Sequence, residues 1–100
     1  MAAQWLDWND SKSIDLADGD QQVTEDTVLF VGVYVDAATT GDCIVRDGTD
    51  TSRDVTIPSG SVAGRQISGA GAKFYEYLRV IPDGATGKIT VCFRKQRGGL

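Results

Sequence analysis

Several stretches of this chain carry residue types and spacings that could do chemistry. Gly84-Ala85-Thr86-Gly87-Lys88 resembles a phosphate-cradling loop. That loop, however, needs four residues between its glycines, a Ser or Thr after the Lys and a helix to follow. Here Ile89 opens a strand-like run, so the stretch reads as a hairpin turn. Asp18-Gly19-Asp20 and Asp47-Gly48-Thr49-Asp50 could gather carboxylates around a calcium ion. Neither has the ligand spacing or terminal glutamate of a calcium loop, and Asp-Gly pairs make turns on their own account. Ser59-Gly60-Ser61 and Ser68-Gly69 lack the glycine pattern and strand-to-helix setting of a serine nucleophile. The chain has no histidine, which removes Ser-His-Asp and Cys-His catalysis and His-ligated zinc. No catalytic, metal-binding or cofactor-binding residue is assigned, and an enzyme is not expected.

What remains are residues suited to contact. Trp5, Leu6 and Trp8 form an N-terminal arm outside the strand pattern, and both tryptophans of the chain lie there. Tryptophan is typical of interface hot spots. Two readings of the arm stay open: it lies against a partner, or it folds over its own domain. Tyr75 and Tyr77, with Tyr34, could form an aromatic platform or a subunit contact, since tyrosine offers an apolar body and a polar tip. Arg94, Lys95 and Arg97 make a basic C-terminal cluster. The chain is acidic overall, at net −4, and no aromatic is interleaved among these bases, so nucleic acid is not the expected partner.

The elements that must position these residues are short and β-rich. Ser13 to Ala17 alternates, with Ile14 and Leu16 on one side. Val28 to Val35 is the strongest strand and is apolar on both faces. That pattern predicts a central strand covered on both sides, or on one side by a neighbouring subunit. Gly32 within it is expected to leave room for a large side chain. Residues 37–41 turn the chain into Cys43–Arg46, and Val55–Ile57 follows. Gly64–Ile67 reads as a weak strand, Ser68–Gly71 as a small flexible loop and Phe74–Ile81 as one long strand. Ile89, Val91 and Phe93 alternate in the last. No window has helical periodicity.

At 100 residues the chain makes one domain, and 41% apolar residues suffice for a core. Short strands between Gly-rich turns predict an all-β fold, a small β-sandwich of jelly-roll or immunoglobulin-like type. The expected layout is an arm over 1–12, the sandwich over 13–94 and a flexible tail over 95–100. The first ten residues have no basic or apolar segment of a signal peptide, and no run is long enough to span a membrane. Synthesis in the cytoplasm and no membrane partner are therefore expected. Cys43 and Cys92 read as small buried hydrophobes rather than a disulfide framework. Residues 1–50 carry net −9 and residues 51–100 net +5. This asymmetry is either a solvated mixed surface or head-to-tail complementarity between subunits, with arm and tail on opposite faces.

From Val28 to Phe93, about two-thirds of the chain, the order of strands and turns resembles small structural proteins of tailed bacteriophages. The matching residues are Val28–Val35, Asp36-Ala37-Ala38-Thr39-Thr40-Gly41, the strand ending in Asp47-Gly48-Thr49, the Pro58-Ser59-Gly60 turn, Phe74–Ile81 and Gly87-Lys88-Ile89-Thr90-Val91. The resemblance implies a β-sandwich of the virion exterior. The role it implies first is a capsid decoration (cement) protein, a homo-oligomer with a trimer favoured, bound to the major capsid protein or another virion protein. A neck, tail or fibre-base component is the alternative within the virion. A carbohydrate-binding module is the alternative outside it.

Overall fold

The computed structural model describes residues 10–25 and 27–95. Eight strands run in chain order: β1 (Asp10–Asp15), β2 (Gln21–Gln22), β3 (Val28–Thr40), β4 (Cys43–Asp47), β5 (Asp50–Ile57), β6 (Gln66–Phe74), β7 (Leu78–Ile81) and β8 (Thr86–Lys95). A single 3-10 turn, Leu16–Asp18, follows β1; the Asp15 carboxylate caps it by accepting from the Ala17 N–H. One sheet has the order β1-β8-β3-β6 and the other β2-β7-β4-β5, with every pairing antiparallel. The protein is an all-β sandwich. Only β4 and β5 are joined as a hairpin, and every other connection crosses between sheets. This strand order is that of an eight-stranded jelly roll, which decides between the two sandwich types.

The two-faced apolar run has a different origin from the one its pattern suggests. Val28 and Phe30 are buried, and so are Val33 and Val35, although the two pairs differ in phase. The phase changes at Val31, where β3 carries one extra residue against β8: Phe30 pairs with Phe93, then Gly32 with Cys92. A β-bulge of this kind turns the next side chains over. Both halves of the run therefore fill the same core, and no cover on the outer face is needed to explain it. Leu29, Val31 and Tyr34 are half-buried on that outer face.

The region after β5 also departs from expectation. The Ser68–Gly71 stretch is not a separate loop: it lies within β6, whose pairing with β3 passes from Ser68–Gly32 to Ala72–Phe30 through an irregularity. Gly69 belongs there because Phe30 lies against the strand. A Cβ on Gly69 would sit 2.4 Å from the Phe30 ring. Phe30 in turn packs on Phe74 with ring centroids 5.3 Å apart. The predicted long strand Phe74–Ile81 is broken at Tyr75–Glu76, so that Phe74 ends one sheet and Leu78 starts a strand of the other. Residues 82–85 turn tightly, the Ala85 N–H donating to the Pro82 carbonyl at 3.0 Å. They join β7 to β8 across the sandwich and so do not form a hairpin. At the start, β1 already pairs at Asp10, three residues ahead of the predicted strand.

The core lies between the sheets, with Ile14, Leu16, Val45, Ile57, Val80 and Ile89 all at most 2% exposed. Burying each such side chain stabilises the fold by roughly 1.5–3 kcal/mol. Both cysteines are free and buried. Burial, then the charge of Asp20, pushes the Cys43 thiol up to about 12. Burial, then Asp36, pushes Cys92 up to about 11. Neither is a nucleophile at neutral pH.

Candidate functional site

The strand directions bring the predicted contact residues to one end of the sandwich. β8 ends at Arg94 and Lys95, β6 ends just before Tyr75, and Tyr77 leads into β7. Trp5, Leu6, Trp8 and Arg97 lie outside the described residues. Their attachment points do not: Asp10 and Lys95, at the ends of neighbouring strands, form an ion pair at 3.1 Å. Arm and tail therefore join the domain side by side, at the end that carries Tyr75. The faces on which arm and tail themselves lie fall outside the described residues.

The bend that presents Tyr75 is built by a carboxylate from the other sheet. Asp47, 1% exposed at the end of β4, accepts from the Tyr75 N–H at 2.9 Å and the Glu76 N–H at 2.8 Å. A buried carboxylate taking two backbone donors is a strong, directional clamp. The Glu76 carboxylate reaches back to the Thr49 N–H and hydroxyl, each at 3.0 Å. The Gly48 N–H donates to the Tyr77 carbonyl at 2.8 Å, and the Thr27 hydroxyl to the Tyr75 carbonyl at 2.8 Å. Gly48 has φ 54, and a Cβ there would meet the Glu76 carboxylate at 2.3 Å. The Asp47-Gly48-Thr49-Asp50 cluster is thus a hairpin turn whose first carboxylate is spent on the backbone. Among the described residues no group of three His, Cys, Asp or Glu is placed to hold a metal ion.

Held this way, Tyr75 is 57% exposed, one of the two large hydrophobic residues most open to solvent among those described. Arg53 lies over its ring at 5.1 Å from the centroid and Lys73 at 5.2 Å, one cation from each sheet. Such contacts stiffen the ring as well as attracting it. Arg53 is also held by Asp50 at 3.3 Å. The Ser52 hydroxyl, then its N–H, then Arg53 hold the Asp50 carboxyl below its ordinary value. In the next row of the outer face, Leu29 is flanked by Arg94 and Lys73. Neither Arg94 nor Lys73 has a carboxylate partner among the described residues. The outer face of the other sheet is different. Its facing cations Arg46 and Arg79 are neutralised by Asp54 at 2.9 Å and Asp20 at 3.0 Å.

Tyr34 does not join Tyr75 and Tyr77. It sits six residues along β3 from Val28, the partner of Phe74, which is about 20 Å at the ordinary strand rise. The three tyrosines form no single platform. Beside the root of the arm, a cleft of ≈ 400 Å³ opens between β1 and residues 23–27, with Phe93 and Val28 at its base and Lys12, Glu25, Asp10 and Lys95 around it.

Of the residues that build this end, Glu76, Arg53 and Lys73 carry no signal in the sequence, and Asp47-Gly48-Thr49-Asp50 reads there as a turn rather than a clamp. The backbone partners of Asp47 stand 28 and 29 residues away. Comparison with protein-family models, with curated protein sequences and with solved structures finds no match for this chain. Among the described residues no helix is long and apolar enough to cross a membrane.

Proposed function

We propose that this chain is a non-enzymatic structural protein that works through its surface. In this reading it is an accessory subunit of a virion, foremost a capsid decoration (cement) protein that self-associates, as a trimer, on the major capsid protein or another virion protein. The observation that carries the reading is the convergence at one end. An exposed Tyr75 on a clamped bend, Lys73 and Arg94 without a carboxylate partner among the described residues, and the roots of the tryptophan arm and basic tail all share it. Exposed aromatic and arginine side chains on a preorganised support are what an interface hot spot requires. The jelly roll suits the role, being an architecture of viral capsid and lectin domains, although a fold alone assigns no function. Repetition over a symmetric shell would turn a modest contact into stable attachment. A neck, tail or fibre-base position would use the same surface.

The test is co-sedimentation of the chain with shells of a tailed-phage major capsid protein. The wild type should saturate the shells, and Trp5→Ala/Trp8→Ala should fold yet leave them bare. Full occupancy by that variant would remove the arm from the account. Absence of wild-type binding, beside hits on a glycan array, would replace the reading with the carbohydrate-binding one.

A further inference from the structure

The two ends of the sandwich differ in charge as well as in build. Opposite the Tyr75 end, the chain turns through residues 16–20, 41–42, 58–65 and 82–85. Asp18, Asp42 and Asp83 stand exposed in three of these turns, and Asp15 and Asp36 lie just below. Asp42 accepts from the Ser59 N–H and Asp36 from the Thr90 hydroxyl. Asp18 and Asp83 have no cationic partner among the described residues. Arg65, exposed in the 58–65 turn, and Lys88 are the bases of this end. At the Tyr75 end the outer-face charges without an ion-pair partner among the described residues are positive, Lys73 and Arg94, and they flank the half-buried Leu29 beside an exposed aromatic.

We infer that the Tyr75 surface, centred on Tyr75, Lys73, Arg94 and Leu29, docks on the acidic loop end of a second copy of this chain. The inference rests on the self-association proposed above and names its contact. Charge complementarity selects the occupant: among the described residues the outer-face cations Lys73 and Arg94 lack a carboxylate partner, and Asp18 and Asp83 lack a cationic one. Against these stand Glu25 and Glu76 at the first end and Arg65 and Lys88 at the second. The rigid Tyr75 bend supplies the apolar centre that charge alone does not. Because the two surfaces differ, the contact is heterologous, head to tail. Such contacts close into rings, a trimer among them, when the rotation permits, and otherwise extend. Desolvated complementary charges at the rim set partner and register, while the aromatic anchor sets the lifetime.

The test is sedimentation of the full chain over a range of concentration and salt, with two variants. Lys73→Glu/Arg94→Glu reverses the basic surface. Asp18→Lys/Asp83→Asn reverses the acidic one, with Asn at 83 because the backbone there has φ 50, which Asn tolerates. All four side chains lie at the surface or half-exposed, so both variants should melt as the wild type does. Each variant alone is expected to associate at least about tenfold more weakly than the wild type, and Tyr75→Ala about tenfold. Mixed in equal amounts, the two variants should recover association, because the intact acidic end of one meets the intact basic surface of the other. A wild type that associates while all variants associate equally well would overturn this contact and leave self-association standing. A wild type that is monomeric at every salt concentration would overturn both the contact and the proposed oligomer, while the shell-binding assay would still decide the virion role.

Discussion

The two ends of this sandwich use the same residue type to opposite purposes. At the Tyr75 end, Asp47 is buried and its two oxygens hold consecutive backbone N–H groups, so the carboxylate is part of the frame. At the acidic end, Asp18 and Asp83 are exposed and shape or follow turns without holding another element. Gly48 is pressed against Glu76, and Gly84 has nothing within 4 Å of a Cβ, although Gly41 and Gly87, also toward the acidic end, are crowded by Ala85 and by the Ala38 carbonyl. Both ends are braced between segments, by Asp47 at the Tyr75 end and by the Asp42 and Thr39 contacts to residues 59–61 at the other. The contrast lies in the exposed acids Asp18 and Asp83, which hold no other element. The lesson is that an exposed side chain can be rigid when its backbone is clamped from below, and Tyr75 is placed that way.

Substitutions can break or sharpen this contrast, and the largest effect belongs to Asp47. Asp47→Ala removes both acceptors of the bend and should cost about 3 kcal/mol or more in thermal or denaturant unfolding. Asp18→Ala should cost less than about 0.5 kcal/mol. Equal costs would erase the distinction between the ends. Next in size, Gly48→Ala combines an unfavourable φ with displacement of Glu76, for about 2 kcal/mol. Gly84→Ala, at φ 85 in open space, should cost about 1 kcal/mol from backbone conformation alone. Smaller again, the paired Arg46–Asp54 bridge on the opposite sheet should contribute no more than about 1 kcal/mol in a double-mutant cycle, because both partners are partly solvated.

The thiols provide a pH test of the acidic end. Cys43 and Cys92 are raised first by burial and then by Asp20 and Asp36 respectively. Their folded values exceed the unfolded value of 9.0, so the folded state keeps its protons longer. Their contribution is therefore intact below pH 9 and is lost as pH rises from there through about 11 for Cys92 and about 12 for Cys43. Unfolding measured across that window should fall less steeply in Cys43→Ala/Cys92→Ala than in the wild type. A thiol reagent at pH 8 should find both cysteines unreactive until the chain unfolds.

Much of the fold was legible in the sequence, and the misses share a cause. Alternation at Ile89, Val91 and Phe93 and the Gly-rich turns predicted an all-β sandwich, as found. The bulge at Val31 was invisible because one extra residue leaves no mark in composition, only a change of phase that reads as two apolar faces. The break at Tyr75 was hidden because Phe74, Leu78 and Val80 keep one alternation through it. What stops the strand is Asp47, distant in sequence. The small residues of 68–71 read as a loop, whereas Gly69 is the residue that the Phe30 ring requires to be small. Tyr75, Tyr77, Arg94 and Lys95 were picked for their chemistry alone. That they share one end is a consequence of the jelly-roll order, which periodicity does not encode.

Hydrogen–deuterium exchange of the full chain, compared between dilute low-salt solution and concentrated low-salt solution, tests the two-ended account most directly. Association should slow exchange in residues 73–77 and in the turns at 16–20 and 82–85, while β4 and β5 stay unchanged, and added salt should reverse the effect. Exchange that does not respond to concentration, or protection that falls instead on the outer face of the β2-β7-β4-β5 sheet, would contradict it.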